Sequence, residues 1–294
     1  MSFAVVTDTS ANLQNRHIAE NNIHVVPFSY YVEGLEHTCL DTEAFNGDEY
    51  YAMIKSGVNV TTSQVPPQRF ADCFEPLLKE GKDIILVSMS SGISGSCNSA
   101  RMAAAQLLEE YPERKIAVVD TRGASLGEGL VALKAAQLRD EGKSFDEALA
   151  VLENMVECMC QIFTVNDLMH LRKGGRLSNL SAVVGTVLQI KPILIGNDKG
   201  KIVAIAKIRG RKRSIEDLAA RYDKFVEDHA NSVVGIAQAG CREDAEYLIE
   251  LLNKNKPPKE IICVEYEPVT GSHVGPGALA LFFVSHEGVR KMDK

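Results

Sequence analysis

Short apolar runs rich in Val and Ile alternate along the chain with longer stretches whose apolar residues recur every three or four positions. That is the pattern of buried parallel strands joined by crossover helices. In the first half it predicts strands at Phe3 to Val6, Ile23 to Phe28, Ile84 to Val87 and Ile116 to Val119. Helices follow near Phe70 to Glu80, Cys97 to Tyr111, Leu126 to Glu141 and Ser144 to Met159, the last opened by a Ser144/Glu147 capping box. After Met159 the pattern changes, with strands expected at Gln161 to Val165 and Pro192 to Ile195 and a short helix at Leu180 to Leu188 between them. A turn at Asn197-Asp198-Lys199-Gly200 makes a hairpin with Ile202 to Ile208, which implies a mixed sheet. Helices at Ser214 to His229 and Arg242 to Lys254 then alternate with strands at Val233 to Gln238 and Ile261 to Tyr266. The reading is an α/β protein of two domains: 1–160, an α/β/α layer with a mainly parallel sheet, and 161–294, with a mixed sheet.

Composition narrows this picture. The chain has 294 residues, 45% of them hydrophobic, enough for two cores. Its 32 basic and 39 acidic residues leave a net charge of -7, which argues against nucleic acid or an anionic membrane surface as the main partner. The one basic cluster is Arg209-Gly210-Arg211-Lys212-Arg213. The apolar run from Phe3 reaches Asp8 too soon for a secretory signal, and no run has the length of a membrane span. Seven cysteines scattered from Cys39 to Cys263 suit reduced thiols, so a cytoplasmic location without stable membrane insertion is expected. Cys158 and Cys160 lack the second Cys/His pair that a zinc site needs, so no metal is expected.

In a parallel sheet, ligands meet the carboxyl ends of the strands, where loops and helix N-termini present unpaired backbone N–H groups. The first strand leaves into Thr7-Asp8-Thr9-Ser10-Ala11-Asn12, the third into Ser90-Ser91-Gly92-Ile93-Ser94-Gly95-Ser96, and the fourth into Asp120-Thr121-Arg122-Gly123-Ala124-Ser125. Thr61-Thr62-Ser63-Gln64, just before Pro66-Pro67 and the next helix, is a further candidate for the same rim. Any one of these loops is explained by capping and turn formation. Four together point to a hydroxyl and amide cradle for an anion, with Thr9, Thr62, Ser63, Ser91, Ser94, Gly95 and Ser125 as candidate contacts. Gly92-Ile93-Ser94-Gly95-Ser96 misses the nucleophile-elbow pattern by its last residue. Lys173-Gly174-Gly175-Arg176 is no Walker loop, and no dinucleotide fingerprint follows the first strand. No catalytic residue is assigned.

These motifs resemble those of the DegV family in family order across nearly the whole chain. Thr7 to Leu13 is similar to the family's opening TDSTADL, Thr62-Ser63-Gln64 to its TSQP, and Ser90 to Ser96 to its SSGLSGT. Leu168 to Ser178 resembles LxYLxKGGRIS, followed by Ile190-Lys191-Pro192-Ile193-Leu194 and by Gly271 to Ala278. The resemblance implies a binder of long-chain fatty acid, with no other cofactor, that serves as the lipid-binding subunit of a bacterial fatty acid kinase. It implies that Thr62 and Ser94 hold the carboxylate, that His273 joins their network, and that the acyl tail runs in a tunnel between the two domains. Arg172 and Gly275, in the matching motifs, are added as ligand contacts, and Arg209 and Lys212 as kinase-docking residues. Small and aliphatic residues at 182–188, 190–195 and 278–283 are the tunnel candidates. Val65 interrupts the usual TSQP, Asn12 replaces an acid, His170 stands where Tyr is usual, and Cys97 where an aromatic is common. Alternatives left open are an enzyme, either a phosphotransferase related in fold to dihydroxyacetone kinases or a Ser94-dependent acyl hydrolase, and a lipid sensor without a kinase partner.

Overall fold

The computed structural model of the chain describes residues 3–178 and 189–291. The helix expected over 180–188 and the tunnel candidates at 182–188 therefore lie outside the described residues. The chain divides into two compact units, Met1–Phe45 with Thr61–Val156, and Asn46–Val60 with Glu157–Lys294.

The first unit begins with β1 (Phe3–Asp8), α1 (Asn15–Glu20), β2 (Ile23–Val26), β3 (Ser29–Val32) and β4 (Leu35–His37). The chain then leaves for α2 (Gly47–Lys55), which belongs to the second unit. It returns through β5 (Val60–Ser63) to α3 (Pro67–Lys79), β6 (Asp83–Ser88), α4 (Ser96–Glu110), β7 (Ile116–Asp120), α5 (Leu126–Asp140) and α6 (Phe145–Cys158). Strands β2-β1-β6-β7 form one sheet in that order, and every pairing in it is parallel. All six residues of β1 are buried, and so are five of the six in β6. Both faces are covered, which is why these strands are continuous apolar runs without alternation. Helix α3 starts at Pro67, three residues before the expected Phe70, because Pro67 fits the first helical turn, where its missing N–H has no helical partner. The Ser144/Glu147 box forms: Glu147 accepts from the Ser144 amide at 2.9 Å while Ser144 Oγ accepts from the Glu147 amide at 3.4 Å.

A small sheet of order β4-β3-β5 was not expected. Val32 pairs with Leu35 across Glu33 and Gly34, whose φ values of 50° and 84° are those of a two-residue hairpin turn.

The second unit contains α2, then β8 (Met159–Thr164), α7 (Met169–Lys173), β9 (Ile190–Gly196), β10 (Ile202–Arg209) and α8 (Arg211–Phe225). It continues with β11 (Val233–Gln238), α9 (Arg242–Asn255), β12 (Glu260–Glu265), α10 (Pro268–Val274) and β13 (Leu279–Val284). Its six strands run β10-β9-β8-β13-β11-β12; β11 and β12 are parallel and the other pairs antiparallel, so the sheet is mixed as expected. At the β9–β10 turn, Asn197 Oδ1 accepts from the amides of Lys199 and Lys201 at 3.1 and 3.0 Å, and Gly200 takes a φ of 67°. Helix α8 starts at Arg211, three residues before the expected Ser214, because Gly210 at φ 95° turns the chain directly out of β10. Ile193, Ile195, Leu279, Leu281 and Phe283 pack into the hydrophobic core with Leu218, Tyr222 and Leu248 of α8 and α9. These five residues belong to the core, as strand alternation requires: one face of β9 and β13 is committed to covering helices. Among the described residues, no helix is long and apolar enough to cross a membrane.

Candidate functional site

Parallel pairing brings the exits of β1, β6 and β7 to one edge of the first sheet. The segment carrying Thr62 and Ser63 is fastened to the loop carrying Ser94 and Gly95. The Val65 amide donates to Ser96 Oγ at 3.0 Å, and Gln64 Nε2 donates to Ser99 Oγ at 3.3 Å. Gly95 leaves room for the Gln64 carboxamide, which a Cβ at that position would displace. Ser94 Oγ accepts from the Ser96 amide at 3.2 Å and lies 3.0 Å from Ser96 Oγ, at the first turn of α4. Thr62, Ser63, Ser94 and Gly95 are all half-buried. The departure at Val65 has a structural role: its side chain is fully buried, and its amide is the one that grips Ser96.

The other hydroxyls at this edge are occupied in holding the loops. Thr9, in a 3-10 turn over Thr9–Ala11, accepts from the Phe28 amide at 3.0 Å. Ser125, at φ 54° and 1% exposed, donates to Asn12 Oδ1 at 3.1 Å. Ser91 gives both its amide and its hydroxyl to the Asp120 carboxylate, which also accepts from the Arg122 amide at 3.0 Å. Asp120 was not singled out from the sequence; an acid at the last position of an apolar strand, facing loop amides, was the available signal.

In the second unit the segments 166–176 and 271–278 mate through glycines. His273 packs against Gly174, where a Cβ would lie 2.5 Å from Nδ1. His170 packs against Gly275, which has a φ of 78°, and Asn166 against Gly277. The position held by His170 in place of Tyr is thus filled by a ring lying on a glycine. Burial, with the Arg176 charge second, pushes the His273 imidazole down to about 4, so it is neutral at pH 7 and offers one N–H and one lone pair. Arg172, on α7, is exposed.

The helix carrying His273 is held from below by residues the sequence reading passed over. Glu267, 1% exposed, caps α10 by accepting from the Val269 and Thr270 amides, both at 2.6 Å. Tyr50 and Tyr51 of α2 donate to the carbonyls of Pro268 and Tyr266 at 2.7 and 2.6 Å. Gly271 lies so close under the Tyr51 hydroxyl that a Cβ would overlap it.

Arg209 and Lys212 are exposed at the β10–α8 junction, Lys212 Nζ standing 5.2 Å over the Tyr247 ring. Arg211 between them is tied to Asp244 at 2.8 Å. Among the described residues, no group of three or more His, Cys, Asp or Glu side chains is placed to hold a metal ion.

A parallel-sheet unit with a hydroxyl-lined edge, followed by a mixed-sheet unit with a histidine set against a glycine pair, defines a two-unit α/β class of protein. The sequence profile of a family described as uncharacterised proteins of the DegV family matches residues 2–286. The chain belongs to the DegV family. A DegV domain-containing protein of Clostridium perfringens is 36% identical over 282 residues, covering 96% of this chain and 97% of that one. Among solved structures, a fatty-acid-binding DegV family protein from Thermus thermophilus is similar at a TM-score of 0.88 and 30% identity, over 97% of this chain and 100% of the other. A fatty acid binding DegV family protein from Streptococcus agalactiae is similar at a TM-score of 0.85 and 30% identity, over 98% of this chain and 100% of the other.

Proposed function

We propose that the protein binds a long-chain fatty acid non-covalently, Thr62 and Ser94 receiving its carboxylate, with Ser63 and Gly95 contributing to the same network. The observation that carries this reading is the fastening of the Thr62 segment onto the Ser94 loop by the Val65 and Gln64 hydrogen bonds. Fatty-acid binding by relatives at 30% identity supports the ligand class. A fatty carboxylate is ionised at pH 7, and hydroxyls and amides at a helix start supply charge-assisted hydrogen bonds without a buried cation. Each buried methylene contributes about 0.8 kcal/mol, so about fifteen contribute about 12 kcal/mol against association costs of roughly 4 to 15. The tail therefore supplies affinity and the cradle supplies orientation.

The bound acid is then presented to a separate kinase that makes the acyl phosphate. Support comes from the sequence, which has no nucleotide-binding loop, and from the exposed cations at the start of α8. Positive charge in a first helical turn opposes the helix dipole, so Lys212 does not serve the helix that carries it. Seven free thiols fit a reducing, cytoplasmic setting.

Organic extraction of the purified protein followed by mass spectrometry is expected to release long-chain fatty acid in near-equimolar amount. An extract without lipid, together with no uptake of added oleate or palmitate, would end this reading. Reversing charge in an Arg209→Glu, Lys212→Glu variant is expected to leave lipid retention intact while slowing acyl-phosphate formation by a fatty acid kinase of the same genome severalfold. Turnover at the wild-type rate would count against docking there.

A further inference from the structure

The last residues of β1 and the first turn of α5 meet in a set of acidic and hydroxyl groups that ligand binding does not use. Thr7, Asp8, Ser10 and Glu128 are each 0% exposed. Asp8 caps the 3-10 turn, its Oδ1 accepting from the Ser10 amide at 2.9 Å. The Ser10 hydroxyl contacts two carboxyls at once, Asp8 Oδ1 and, at 2.7 Å, Glu128 Oε2. Glu128 Oε1 lies 2.9 Å from Thr7 Oγ1, which lies in turn 3.0 Å from the Val87 carbonyl oxygen.

Counting protons decides the chemistry. The Ser10 hydroxyl carries one proton and can donate it to one carboxyl only. The other short oxygen–oxygen contact is a hydrogen bond only if that carboxyl donates. Thr7 repeats the constraint: when its proton goes to the Val87 carbonyl, which cannot donate, the proton toward Glu128 has to come from Glu128. Two ionised carboxylates sharing one buried hydroxyl are disfavoured both by desolvation and by mutual repulsion.

We infer that Asp8, Ser10 and Glu128 form a proton-sharing bridge, a buried site for an exchangeable proton that locks the exit of β1 to the start of α5 while the proton is present and loosens that junction when it leaves. The junction matters to the rim because the Ser125 amide donates to the Ser10 carbonyl at 2.7 Å, and the next residue of the turn after Asp8 is the Thr9 that holds Phe28.

The direction with pH follows from the surroundings. Burial, opposed by the Ser10 hydrogen bonds and the Met89 amide, pushes Asp8 up to about 6 from its ordinary 3.8. The titratable groups facing it are Glu128 from α5 and the Cys97 thiol from α4, which also feels Asp120 of β7 and Arg101. Beyond the turn, Cys39 lines the same small space as Asp8, with its thiol bonded to the Asp41 carbonyl. From β6 and the residue that follows it come backbone groups, the Val87 carbonyl and the Met89 amide. A carboxyl with a raised folded value stabilises the fold fully below 3.8, and that contribution is lost as pH rises through about 6. His273 acts oppositely: its folded value is below 6.5, so stability is lost as pH falls toward 4. The difference between wild type and variants is therefore the quantity to read.

The experiment is infrared spectroscopy of the full chain at about pH 5, with thermal melts from about pH 4 to about pH 7, on wild type, Asp8→Asn and Glu128→Gln. Wild type is expected to show a protonated-carboxyl C=O band that weakens in each variant. Its melting temperature is expected to fall, relative to Glu128→Gln, as pH rises through the window. Should one variant fail to fold, the band in wild type and the other variant still decide. Absence of a protonated-carboxyl band in wild type, or melting temperatures of wild type and folded variants that run parallel, overturns the proposal. Neither outcome depends on whether fatty acid is the ligand.

Discussion

A Thr62→Val, Ser94→Ala double variant is expected to emerge from purification without bound fatty acid and to take up added oleate at least a hundredfold more weakly than wild type. A hydrogen bond to a charged group contributes about 1.5–3 kcal/mol. Two such donors amount to about 3–6 kcal/mol, or about two to four powers of ten in affinity. The loss is specific to the ligand. Valine keeps the shape of threonine in β5, and removing the Ser94 hydroxyl leaves Ser96 Oγ still accepting from the Val65 amide at 3.0 Å, so the fastening of the two segments survives. Equilibrium binding with a fluorescent fatty acid, alongside circular dichroism to show an unchanged fold, measures both. Retention of equimolar lipid by the double variant would remove Thr62 and Ser94 from the head-group site.

Gly129→Ala is expected to destabilise the protein, although alanine is the better helix former. In an open helix the exchange would gain about 1 kcal/mol. Here a Cβ on α5 would overlap the Ala11 carbonyl oxygen and stand 3.0 Å from Leu13 Cδ2. The obstacle is backbone in a 3-10 turn whose hydroxyls are bonded on both sides, so it cannot swing away as the end of a side chain would. Overpacking costs of about 1–3 kcal/mol or more exceed the propensity gain. The net effect is a melting temperature several degrees below wild type in a calorimetric scan. A value equal to or above wild type would mean that α5 and the Thr9–Ala11 turn do not touch in this way.

The parts of the fold that were legible are those whose sequence signal is local. The buried strands β1 and β6 and the half-buried β7 stand out as apolar runs, α3 is announced by Pro66-Pro67, and α6 by its capping box. The β3–β4 hairpin escaped because its strands are half-buried or exposed and its turn uses Glu33-Gly34 in place of Asn-Gly. Helix α2 escaped although Asn46 caps it, accepting from the Glu49 amide at 3.2 Å, because its two tyrosines read equally well as strand. Helix α10, seven residues long with Gly271 inside it, has too little periodicity to register.

At the site, the strand exits were readable as hydroxyl-rich, but composition does not distinguish a hydroxyl that offers itself from one that is already spoken for. Thr9, Ser91 and Ser125 proved to hold the loops. Asp8 and Glu128 were invisible as a pair because their contact joins residues 120 positions apart in a chain where each looks like an ordinary loop or helix acid. The matching of His170 to Gly275 and of His273 to Gly174 was equally hidden, since each ring is explained only by a glycine about a hundred residues away.

The buttress beneath α10 has a consequence for how the chain is made. Tyr50 and Tyr51 leave the ribosome early, yet their acceptors at Pro268 and Tyr266 lie 218 and 215 residues downstream. At elongation speeds of about 5–20 residues per second, both aromatic side chains wait roughly 10 to 40 s before their partners exist. During that interval α2 is an unfinished surface tethered within a nascent chain, and a polypeptide cut short before residue 266 leaves it so permanently.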